Sequence, residues 1–143
     1  MKIKPVKTAV IGAGMISPAY LDSCYHKFSI IDLVGISDIV SEKSKEKAEI
    51  FKTKQLTNEQ ILNDPEIELV LNLTYPSAHY EVSKSILNAG KHCYSEKMMS
   101  TTLSEAQELG RISKEKNLMF AAGPDTFFGA AEQTAQNIAS ALV

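Results

Sequence analysis

The sequence is short of several things that would assign it a class outright. Two cysteines in 143 residues, Cys24 and Cys93, make neither a disulfide framework nor a metal-binding spacing. Reduced thiols in the cytoplasm are therefore the expectation. A formal net charge of −2 gives no electrostatic case for nucleic acid or an acidic membrane surface, and no basic helix-turn-helix pattern is present. No apolar run approaches the eighteen residues a membrane span requires. Met1-Lys2-Ile3-Lys4-Pro5 leads straight into a strand pattern without an apolar leader core or a small-residue cleavage site. Low-complexity segments and repeats beyond a β-α period are also missing.

What is there is ordinary in bulk and specific in pattern. Apolar residues make up 44% and charged residues 22%, enough for one real core in one domain. Short β-branched runs alternate with longer helical patterns. Strands are expected at 7–12, 31–37, 55–56, 68–73, 92–95 and 118–122. Helices are expected at 17–28, 41–52, 58–63, 77–89, 102–117 and 130–142. Gly90 stands where a helix C′ glycine belongs, and Thr102-Leu103-Ser104-Glu105 has the spacing of a capping box. Such alternation calls for an α/β, doubly wound Rossmann fold: a mainly parallel six-stranded sheet with helices on both faces. Residues 1–122 make that domain, and 123–143 read as a crossover loop and a connecting helix.

The first strand runs into "AVIGAGMISPAY", residues 9–20. In a G-x-G-x-x-G turn the first glycine makes the tight turn, the second lets the backbone approach a pyrophosphate, and the third packs the helix on the strand. Gly12 and Gly14 supply the two roles that concern phosphate. Ser17 replaces only the packing glycine, and the helix N-terminus behind Met15 and Ile16 faces the anion. Asp38 ends the second strand, 24 residues beyond Gly14, where a carboxylate accepts from the adenosine ribose hydroxyls and repels a 2′-phosphate. No arginine follows it, although Lys43 and Lys45 lie within reach. NAD is favoured over NADP. The competing reading of Asp38 is a plain turn or helix-capping aspartate.

A second cluster, "LNLTYPSAHYEVSKSILNAGKHCYSEKMMS", covers residues 71–100, and "GPDTFFG" covers 123–129. With Gly12-Ala13-Gly14-Met15-Ile16-Ser17, Leu73 to His79, Ala89 to His92, Glu96-Lys97 and Gln133-Thr134, these segments follow one family's order. The chain resembles the N-terminal NAD(P)-binding domain of the Gfo/Idh/MocA oxidoreductases, and serine at the third glycine position is common among them.

The resemblance implies hydride transfer between a nicotinamide cofactor and a sugar, polyol or related hydroxy compound. It implies that Lys97 is catalytic, polarising a carbonyl or relaying a proton at the substrate oxygen. Thr74, Pro76 and His79 would lie near the nicotinamide and its ribose, with Glu96 orienting the loop. Asp125, Thr126 and Phe128 would form the crossing to a second domain. The family's proline after the lysine is Met98 here, which puts the placement of Lys97 in question. For His79, a loop-bracing role competes with a chemical one, while His26 and His92 read as structural. The alternative function is a stand-alone NAD(H)-binding or redox-sensing module without turnover. No metal site is expected. Ala131, Ala135, Ile138 and Leu142 form an apolar helical stripe, from which self-association into a homo-oligomer is expected.

Overall fold

The computed structural model describes residues 4–123 together with Thr134, Asn137 and Ile138. The crossover residues Asp125, Thr126 and Phe128 lie outside the described residues. So does the apolar stripe, apart from Ile138.

Six strands, β1 (Val6–Ile11), β2 (Ile31–Ser37), β3 (Lys54–Gln55), β4 (Leu69–Asn72), β5 (His92–Ser95) and β6 (Phe120–Ala122), form one sheet. Its order is β3-β2-β1-β4-β5-β6, and every pairing is parallel. Parallel neighbours need crossovers, which five helices supply: α1 (Ser17–Asp22), α2 (Ser41–Ile50), α3 (Asn58–Asn63), α4 (His79–Asn88) and α5 (Leu103–Glu115). The doubly wound Rossmann architecture expected from the β-α alternation is the one observed.

Strand alternation explains the two cores. Ala9 and Ile11 of β1 and Val70 of β4 face one side, where they meet Ile61 of α3, Ile86 and Leu87 of α4, and Leu109 and Ile112 of α5. Val10 and Leu71 face the other side and meet Leu21 of α1, Cys24, Ile36 and Phe51. Each fully buried leucine or isoleucine contributes about 1.5–3 kcal/mol from the water it leaves. The central strands read as continuous apolar runs because both of their faces are covered.

Most element bounds shift by a residue or two from those expected, and three of the departures have a local cause. The helix expected to run to Phe28 is α-helical only to Asp22. It continues as one wider π turn, Ser23–Lys27, closed by Phe28 N donating to Ser23 O at 3.2 Å. Phe28 O then accepts from Ile31 N, so the wider turn delivers the chain to the start of β2. The helix expected from Ser77 begins as a 3₁₀ turn at Pro76–Ala78 and becomes α-helical at His79. The last strand starts at Phe120 because Leu118 N is spent on Ser113 O, closing α5 through left-handed Asn117. Both capping-box hydrogen bonds at Thr102 and Glu105 form, and a second capping box joins Thr57 to Gln60 ahead of α3.

Candidate functional site

All six strands run the same way, so the loops after their carboxyl ends gather on one edge of the sheet. The order reverses between β1 and β4, and ligands of open α/β sheets bind at such a switch point. The loop after β1 crosses the end of β4 closely. Gly12 has φ +107°, and a Cβ there would sit 2.5 Å from the carbonyl carbon and oxygen of Leu73. No side chain fits that position, in conformation or in space. Gly14 differs: a Cβ placed on it would meet nothing within 4 Å. Its bareness leaves open space in front of the loop.

That space is lined with donors. Among the described residues the N–H groups of Gly14, Met15 and Ile16 have no partner within the chain. They lie at the start of α1, where unsatisfied amides and the helix dipole attract an anion. A pocket of about 340 Å³ opens over them, walled in part by Gly12, Gly14, Ile16, Asp38, Thr74 and Tyr75. Ile39 and Val40 add an exposed apolar rim, and Lys43 is the one cation in its wall. A second groove, about 480 Å³, continues past Asp38 and Ile39 toward Leu56 and Gln60. Asn58 lines both, and its Oδ1 accepts from buried Ser37 at 2.5 Å. The cradle, its amides and the neighbouring carboxylate fit the pyrophosphate and ribose of a dinucleotide.

Asp38 is half-buried, and each of its oxygens already holds the local backbone. Oδ2 accepts from Ala13 N at 2.7 Å, and Oδ1 accepts from Val40 N at 2.8 Å. A carboxylate has about four lone-pair sites, so capacity for further donors remains. Asp38 therefore braces the loop, as a turn aspartate does, and keeps acceptor capacity.

Five of the expected residues lie outside the walls of this pocket. Ser17 is buried, and its hydroxyl donates to Gly14 O at 2.8 Å, fixing the turn from behind. Pro76 is exposed at the start of the 3₁₀ turn. His79, expected beside the cofactor, is 1% exposed instead, with Nδ1 2.6 Å from Met98 O and Nε2 2.9 Å from Thr74 O. Each ring nitrogen faces a backbone carbonyl, and whichever nitrogen carries the N–H donates. Glu96 accepts from Tyr20 Oη at 2.5 Å and from Lys97 N at 2.9 Å. Lys97 is exposed after β5 on the same sheet edge, and its ammonium has no partner among the described residues.

Two residues were not singled out from the sequence. Asn72 ends β4 fully buried. Its Nδ2 donates to His79 O at 3.0 Å and Ser83 Oγ at 2.9 Å, while its Oδ1 accepts from Thr74 N and Thr74 Oγ1. Tyr20 of α1 reaches across to Glu96 and Tyr94. Burial, and then the Glu96 hydrogen bond, push its hydroxyl far above the ordinary phenol value, so it remains a donor. The tyrosine in the "SPAY" segment was the only available signal for that contact. Among the described residues no three His, Cys, Asp or Glu side chains gather as metal ligands, and no helix is long and apolar enough to cross a membrane.

Comparison with known proteins agrees with this geometry. Residues 6–123 match the GFO/IDH/MocA description, "Oxidoreductase family, NAD-binding Rossmann fold". An uncharacterized oxidoreductase of Schizosaccharomyces pombe is 38% identical over 120 residues, 80% of this chain and 32% of that protein. The scyllo-inositol 2-dehydrogenase (NADP(+)) of Bacillus subtilis is 31% identical over 122 residues, 82% of this chain and 33% of that protein. The structure of GenD2 from gentamicin A biosynthesis, in complex with NAD, superposes with a TM-score of 0.88 at 18% identity. That match covers 97% of this chain and 40% of GenD2, and it speaks for the fold alone. The chain thus spans about a third of the length of these curated relatives. Because the family model matches residues 6–123, most of its length, the chain belongs to the Gfo/Idh/MocA oxidoreductase family, and residues 6–123 are its NAD(P)-binding Rossmann fold.

Proposed function

We propose that this chain is the cofactor-holding part of a dehydrogenase that moves hydride between a nicotinamide dinucleotide and a sugar, polyol or related hydroxy compound. The observation that carries the reading is the cradle at the switch point: three amides without a partner among the described residues, facing open space in front of Gly14. Gly14, Met15 and Ile16 hold the pyrophosphate. Asp38 accepts from the ribose, and Asn58 and Ile39 border the groove that takes the adenosine end. Thr74 and Tyr75 line the opposite wall, toward the nicotinamide.

The nicotinamide supplies the hydride chemistry when bound. The chain's own contribution is Lys97, whose ammonium stabilises negative charge at the substrate oxygen or relays its proton. Ser17, His79 and Glu96 act on the loops rather than on the ligand. The inositol dehydrogenase among the relatives supports a polyol.

NAD is the favoured cofactor, because the Asp38 carboxylate faces the position of a 2′-phosphate. Lys43 in the pocket wall is the one feature that favours NADP, the cofactor in the name of the B. subtilis relative. Calorimetric titration of this chain with NADH and NADPH, repeated on Asp38→Ala, tests the assignment. NADH is expected to bind at least tenfold more tightly, about 1.4 kcal/mol, and the variant to narrow that gap. Tighter NADPH binding by the unaltered chain would reverse the assignment.

A further inference from the structure

Lys97 stands on a short segment after β5, followed by Met98. The structure braces that segment from both sides. On the amino side, Lys97 N donates to Glu96 Oε2 at 2.9 Å, and Glu96 Oε1 accepts from Tyr20 Oη at 2.5 Å. Tyr20 belongs to α1, the helix behind the glycine turn. On the carboxyl side, Met98 O lies 2.6 Å from Nδ1 of His79, the first residue of α4. The other nitrogen of that ring meets Thr74 O in the pocket wall. The backbone of His79 is itself held by Asn72, the buried residue ending β4.

Resting on the dehydrogenase reading above, we propose that Tyr20 and His79 are positioning residues for Lys97. Their two chains of hydrogen bonds fix the backbone on either side of it relative to the glycine turn and the Thr74 loop.

Three features support this role over a general structural one. Both chains converge on consecutive residues, 96 to 98, rather than on the core. Each starts from a helix that begins at the cofactor pocket, so the lysine is aligned to the walls of the ligand site itself. The His79 ring is fully buried, yet it packs as a polar bridge between two loops, where a hydrophobic residue would offer neither carbonyl a donor. A long lysine side chain on an unbraced loop would sample many rotamers, and chemistry demands placement within about 0.5 Å.

The near-ultraviolet band of bound NADH tests the proposal, because a cation held beside the dihydronicotinamide shifts it by changing the energy of charge moved on excitation. The 143-residue chain is saturated with NADH in four forms: unaltered, Lys97→Met, Tyr20→Phe and His79→Phe. Lys97→Met defines the band without the cation. Tyr20→Phe and His79→Phe are expected to move the band to the Lys97→Met position. For Tyr20→Phe, NADH affinity should stay within about threefold, since the cradle is untouched. Both variants keeping the unaltered band while Lys97→Met moves it would overturn the proposal and leave the dehydrogenase reading standing. No shift in Lys97→Met would remove Lys97 from the nicotinamide and take the proposal with it. Tyr20→Phe deletes one hydroxyl and keeps the ring, so it decides the question if His79→Phe lowers thermal stability too far to be saturated.

Discussion

Gly12 and Gly14 look interchangeable in a sequence, but the structure asks opposite things of them. Gly12 is required by the protein, because its Cβ would overlap the Leu73 carbonyl in a left-handed backbone. Gly12→Ala is expected to cost about 3 kcal/mol or more, measured by denaturant unfolding, with m unchanged. A loss below about 1 kcal/mol would show that the loop relaxes away from β4. The glycine turn and Asp38 were readable from local spacing, whereas Glu96-Lys97 stood out only through the family resemblance. The partners of His79 and Asn72 were not, since hydrogen bonds such as His79 to Met98 join residues that only the sheet brings together. Lys91 makes the same point. It appeared in the sequence only as part of a familiar segment. In the fold its ammonium is buried, donating to Asp64 O at 2.6 Å and Ile67 O at 3.0 Å, and desolvation lowers its pKa.

Among the elements, α5 shows how a local signal becomes a measurable property. The Thr102 hydroxyl accepts from Glu105 N, while Glu105 Oε2 accepts from the Thr101 hydroxyl and from the N–H groups of Thr101 and Thr102. Desolvation pushes the Glu105 carboxyl upward, but these donors outweigh it and leave the pKa below its ordinary 4.5. A depressed carboxyl stabilises the fold fully above its unfolded value and loses that contribution as pH falls through the folded one. Amide exchange at the start of α5 should therefore accelerate as pH drops below about 4.5, after correction for intrinsic rates. Glu105→Gln keeps the reach of the capping side chain but cannot titrate, so its corrected protection should be flat over that range. A slope equal to that of the unaltered chain would place the titrating group elsewhere. Helix starts with such caps were readable to the residue. The π turn after Asp22 was not, because Leu21 and Cys24 satisfy the same apolar spacing in an α or a wider turn.

For the whole molecule, burial of both sheet faces forces the chain's polar business to the ends of the strands, and strand order chooses which end. The reversal between β1 and β4 opens the crevice. The glycine turn supplies its donors, Asp38 a carboxylate beside them, and the β5 loop presents Lys97 on the same edge. The alternation of strands and helices made that architecture readable in advance. The depth of the crevice, and the fact that Ser17, His79 and Glu96 stand behind its walls, depend on contacts between distant loops.

The most direct test is calorimetric titration of NADH into the unaltered chain and Gly14→Val, with a thermal melt of each. Because nothing lies within 4 Å of a Cβ on Gly14, the two melts should agree within about 2 °C. The valine would nevertheless fill the space in front of the amides, so NADH affinity should fall at least tenfold, about 1.4 kcal/mol. Equal affinity in both forms, or no binding by the unaltered chain, would contradict the account.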